Sequence, residues 1–153
     1  MRWKWLDPML AARAANQLDP RMEKLRLGHS MLTPEQFCEA LFKQDIIVLA
    51  LPNDCAVLMQ WGECKEGRAF NILTVIGNIA HFEAAYSALE EAAIASGADL
   101  IVSVGRAGYS KMMQAQGYEV SKCILMKKVL HDKGSESRER ANNGQRGAAI
   151  LHS

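Results

Sequence analysis

The chain predicts a mixed α/β (α+β) fold, a mainly antiparallel sheet flanked by helices with an extended C-terminal tail. Three observations carry that expectation. Helix-capping residues stand directly before proline three times in the first third of the chain, an aliphatic and β-branched meander fills residues 46–76, and an alanine-rich segment with apolar spacings of three and four follows it. An apolar run, "DLIVSV", and a last hydrophobic stretch, "EVSKCILMKKV", supply further strands.

Taken in order, "RWKWL" alternates polar and apolar residues and predicts a short first strand with Trp3 and Trp5 on the same face. Asp7-Pro8, Asp19-Pro20 and Thr33-Pro34 each mark a helix start, because the capping oxygen accepts a free backbone N–H while proline at the first helical position gives up no bond. Gln36 completes a capping box with Thr33. Helices are therefore expected at about 8–18, 20–27 and 34–44, with Gly28 ending the second. "IIVLAL", "CAVLMQWGE" and "AFNILTVIG" are three strands separated by the turns "PND" and "CKEGR".

In "HFEAAYSALEEAAIASG", Phe82, Ala85, Tyr86, Leu89, Ala92 and Ala93 form one stripe, with Glu83, Glu90 and Glu91 off it. Gly97 is placed to end that helix in the left-handed conformation. "DLIVSV" reads as a buried strand, residues 108–116 as a short helix and "EVSKCILMKKV" as one final strand. The last 23 residues are rich in glycine, serine, asparagine and arginine and have no apolar period before "AAIL", the composition of a tail that is disordered alone. The expected organisation is a domain over 1–130 and a tail or arm over 131–153.

The chain of 153 residues, 49% hydrophobic and 23% charged, has the size and composition of one globular domain. Eighteen basic and seventeen acidic residues give a net charge of +1, so no global field recommends nucleic acid as a partner. Cys38, Cys55, Cys64 and Cys123 form no CxxC pair and do not group with histidine at zinc spacing, so no metal is expected. No segment approaches the ~20 apolar residues that cross a bilayer, and "MRWKWLDPML" lacks a signal-peptide core, from which an intracellular product without a membrane partner is expected.

The element order, ending in "GADLIVSVGRAGYSKMMQAQGYEVSKCILMKKV", resembles the GNAT superfamily of N-acetyltransferases over roughly residues 1–130, most strongly in the last third. The resemblance implies acetyl-coenzyme A as donor, a phosphate-holding motif of the form Q/R-x-x-G-x-G/A before the long helix, a carboxylate base on the preceding strand and a tyrosine acid four residues before a "GF" pair. Here Gly117-Tyr118 matches that pair, but Met113 occupies the tyrosine position, with Tyr109 one helical turn earlier. The phosphate segment reads "TVIGNIAHFEAA", with Gly77 its single glycine and Ile79 where glycine or alanine is usual. "AFNILTVIGN" contains no Asp or Glu, and His81 is the nearby imidazole.

With cradle, base and acid all departing from the pattern, two readings follow. The first is a non-catalytic GNAT-like component of short-tailed bacteriophage virions, structural, portal- or tail-associated or internal, made in the host cytoplasm, present in several copies and holding no cofactor. Its contacts with other virion proteins would run through Trp3, Trp5, Arg138, Arg140 and Arg146. The second is a divergent acetyl-coenzyme A dependent N-acetyltransferase that uses the backbone from Gly77 to His81, with Tyr109 as acid.

Overall fold

A computed structural model describes residues 2–29, 32–104, 114–115, 117–121 and 124–128. The elements are β1 (Lys4–Trp5), α1 (Pro8–Asn16), α2 (Pro20–His29), α3 (Pro34–Phe42), β2 (Ile47–Ala50), β3 (Ala56–Cys64), β4 (Gly67–Ile76), a 3-10 turn (Ile79–His81), α4 (Phe82–Ala95), β5 (Leu100–Val104), β6 (Glu119–Ser121) and β7 (Ile124–Lys128). The strands are ordered β1-β2-β3-β4-β5-β7-β6. β1 and β2, β2 and β3, β5 and β7, and β6 and β7 pair antiparallel, while β4 and β5 pair parallel. This is the mixed, mainly antiparallel architecture expected from the sequence.

Local chemistry explains most of the boundaries. Asp7 accepts the Met9 and Leu10 N–H groups, Asp19 accepts those of Arg21 and Met22, and Thr33 forms the full capping box with Gln36. In the turn after β2, Asn53 and Asp54 both have positive φ, 61° and 60°, and the Cys55 N–H bonds the Pro52 carbonyl, which makes a two-residue hairpin matched to strand twist. α4 ends in a Schellman motif: Gly97 has φ 83°, the Ala98 N–H reaches the Ala93 carbonyl and the Gly97 N–H reaches that of Ile94.

Three expectations need correction. α1 and α3 stop earlier than their apolar patterns, because Leu18 (φ 57°) and Gln44 (φ 63°) adopt the left-handed position that glycine usually fills. Their N–H groups and those of Asp19 and Asp45 close the same motif onto Ala15, Ala14, Leu41 and Ala40. Gly28 does not end α2: it is helical and lies against β4, where an added Cβ would come within 2.6 Å of Thr74 Oγ1. Glycine stands there for close approach. Finally, "EVSKCILMKKV" is not one strand. It reverses into the β6–β7 hairpin, with Val120 opposite Leu125, and this sets Met126 beside Val102 on β5. The expected helix over 108–116 and the tail over 131–153 lie outside the described residues, apart from helical Gln114 and Ala115.

Contacts group the chain into two units, Met1–Gln60 with Leu73–Leu89, and Trp61–Ile72 with Glu90–Ser153. In the first, Ala11, Ala12 and Ala15 of α1 present a surface of small residues, and Phe37 and Leu41 of α3 join them in one core with Met22, Leu25, Val48 and Leu58. The Cys38 thiol donates to the Ala12 carbonyl at 3.2 Å. In the second, Ala69, Leu100 and Val102 form a buried cluster across the β4–β5 pair. Its β3–β4 turn is fixed by Arg68, which lies 3.7 Å from the Trp61 ring centroid and donates to the Ser96 carbonyl at 2.8 Å. The Arg68 N–H donates to Asp99 Oδ2 at 2.9 Å, and the Asp99 N–H to the Arg68 carbonyl at 2.8 Å.

Candidate functional site

The segment joining β4 to α4 is the part of the chain that the sequence singles out for function, and it lies wholly within the first unit. Gly77 has φ 135°, and its missing side chain leaves the space into which Cys55 projects: an added Cβ would meet Cys55 Sγ at 2.6 Å. Cys55 is fully buried. Burial pushes its thiol pKa up, against the smaller opposing effects of the nearby Asn78 backbone and of the Arg21 charge. Arg21 itself donates to the Asp54 carbonyl at 2.7 Å. The β2–β3 hairpin and the start of α2 thus support the turn from beneath.

Within the turn, Asn78 caps. Its Oδ1 accepts the Ala80 N–H at 2.9 Å, its carbonyl accepts the His81 N–H at 2.9 Å, and the Phe82 N–H bonds the Ile79 carbonyl. Three of the five amides from Asn78 to Phe82, those of Ala80, His81 and Phe82, are therefore engaged within the turn. Gly77 to His81 are exposed, Ile79 at 59%, whereas Phe82 turns inward and meets Tyr86 edge to face. Glu83 occupies the first turn of α4 and already complements the positive helix end. A coenzyme diphosphate needs several uncommitted N–H groups and a favourable field, so the residues from Gly77 to Glu83 do not fit it.

β4 offers a different feature. It pairs with β5 through Ala69, Phe70, Asn71 and Ile72, opposite Leu100, Ile101, Val102 and Ser103. Its last four residues, Leu73–Ile76, have no β5 partner among the described residues and are part-exposed. A strand edge of this kind offers backbone N–H and C=O groups to an extended, amide-bearing ligand. β4 carries no carboxylate. Its buried polar residue is Asn71, whose Oδ1 has no hydrogen-bond partner among the described residues.

No protein-family model matches the chain, and no curated protein does. Solved structures do. A GNAT-family acetyltransferase from Streptococcus pneumoniae superposes with a TM-score of 0.55 at 16% identity, covering 83% of this chain and 98% of that one. A candidate GNAT-family acetyltransferase from Bacteroides thetaiotaomicron gives 0.57 at 13% identity, covering 92% and 95%. The chain has a GNAT fold. These structures overturn the expectation of a non-catalytic bacteriophage virion component and of a chain that is not an enzyme: both are described as acetyltransferases, and neither is a virion protein. The expectation weighed side-chain motifs, whereas backbone N–H and C=O groups also bind ligands and no letter encodes where they point.

Of the residues singled out from the sequence, Trp3 and Trp5 are half-buried, with ring centroids 6.4 Å apart in an edge arrangement at the β1 edge of the sheet. Arg138, Arg140 and Arg146 lie outside the described residues, as do Tyr109 and Met113. Tyr118 follows Gly117 (φ 95°) and is buried, as a core aromatic would be. His81 is the one ionisable side chain in the turn from Gly77 to Phe82 and is exposed. The residue that sequence reasoning passed over is Cys55. A thiol at the end of a hairpin carries no linear signal that it reaches a glycine 22 positions later.

Proposed function

We propose that this chain is a divergent N-acyltransferase that moves an acyl group from a pantetheine-type thioester, such as acetyl-coenzyme A, to an amine. The observation that carries the reading is the strand β4, whose last four residues have no β5 partner among the described residues, in a fold shared with proteins described as acetyltransferases. In this reaction class an amine nitrogen attacks the thioester carbonyl carbon, a C–N bond forms and the C–S bond breaks. The proton lost from nitrogen ends on the departing thiolate. The contribution assigned to this chain is positional: backbone groups of Leu73–Ile76 align an extended donor arm, and the protein supplies no carboxylate from β4 for the amine proton.

The test is direct. The purified chain is mixed with acetyl-coenzyme A and a panel of primary amines, and release of free thiol is followed alongside calorimetric titration of the thioester. Amine-dependent thiol release with saturable binding supports the reading. Absence of both binding and turnover across the panel refutes it.

A further inference from the structure

We infer that the acyl donor is recognised through its pantetheine thioester arm and that the nucleotide diphosphate of coenzyme A adds almost nothing to its affinity. This inference rests on the acyltransferase reading and names the part of the donor that the chain holds. A diphosphate grip is made of N–H groups that point outward and a positive field around them. In this turn the Ala80, His81 and Phe82 N–H groups are closed onto Asn78 and Ile79.

The turn is also anchored. Gly77 has φ 135° and lies so close to Cys55 that the sulfur occupies the place of its side chain, which seats the start of the turn against the β2–β3 hairpin that carries Cys55. Ile79, 59% exposed, adds a branched apolar side chain to the surface of the turn. The segment's own charges are unfavourable too. Residues 77–95 contain no lysine or arginine, and Glu83, Glu90 and Glu91 follow the turn. Arg21, whose charge reaches the Cys55 thiol, donates to the Asp54 carbonyl. Two or three charge-assisted bonds to a diphosphate would be worth about 100-fold or more in affinity, and this turn does not present them.

The consequence is a donor preference: S-acetylpantetheine should serve about as well as acetyl-coenzyme A. The full chain is titrated calorimetrically with acetyl-coenzyme A, with S-acetylpantetheine and with the phosphorylated adenosine diphosphate half of coenzyme A alone. The expected dissociation constants of the two thioesters agree within about fivefold, the nucleotide half does not compete, and Arg21→Gln changes acetyl-coenzyme A affinity by less than about twofold. Raising the salt concentration leaves that affinity nearly unchanged, since no phosphate charge is being held.

Acetyl-coenzyme A binding about 100-fold tighter than S-acetylpantetheine overturns the inference and leaves the acyltransferase reading standing. So does competition by the nucleotide half, or a tenfold loss in Arg21→Gln confined to the coenzyme A thioester. Silence of both thioesters removes the acyltransferase reading and the inference with it.

Discussion

Gly77→Ala tests how the turn before α4 is held. The backbone there has φ 135°, which costs an L-residue about 1–2 kcal/mol relative to glycine. The new methyl carbon would lie 2.6 Å from Cys55 Sγ, 3.1 Å from its Cα and 3.2 Å from its Cβ, and overpacking of this kind costs about 1–3 kcal/mol. Together they predict a loss of about 2–5 kcal/mol, or roughly 4–20 °C in the midpoint of a domain this size. Cys55→Ala removes the sulfur but not the φ penalty. In a double-mutant cycle followed by urea unfolding, Gly77→Ala should therefore cost about 1–2 kcal/mol less in the Cys55→Ala background. Equal cost in both backgrounds would show that the sulfur is not what fills the glycine's place, and a loss below about 0.5 kcal/mol would refute the strained turn altogether.

Further outcomes follow from other sites. Gln44→Gly replaces a strained, exposed residue at the end of α3 and should raise stability by about 0.5–1 kcal/mol in chemical unfolding. Thr33→Ala should cost about 1 kcal/mol by removing the capping box, with Thr33→Ser restoring most of it. Asp99→Ala strands the Arg68 N–H and should cost about 1–3 kcal/mol, read as a lowered melting midpoint. Burial raises the Cys55 pKa, so its thiol stays protonated in the folded chain while the unfolded chain ionises above about 8.5. Stability is thus unaffected below that pH and falls as pH rises through it, by up to ~1.4 kcal/mol per unit, a slope that Cys55→Ala should lack.

How much of this was legible beforehand follows from the range of the interactions involved. The helix starts at Pro8, Pro20 and Pro34 depend on a cap and a proline within one turn, and the buried stripe of α4 depends on spacings of three and four, so both could be read directly. The ends of α1 and α3 could not, because Leu18 and Gln44 hold a conformation for which glycine is the sequence signal. Gly28 illustrates the reverse error: a glycine read as a helix stop serves instead as a landing place for Thr74, 46 positions away.

The candidate site divides along the same line. The sequence by itself determined that the segment before α4 has one glycine, a branched residue two positions later and no lysine or arginine through the helix, because composition is a property of the string. Only the tertiary structure decided where the amides of that segment go. Gly77 is brought against a sulfur delivered from the β2–β3 hairpin, and the β4–β5 register leaves Leu73–Ile76 without a β5 partner among the described residues. Hydrogen-bond direction and strand register depend on which distant backbones are brought together in space, and neither is encoded in any short window of residues.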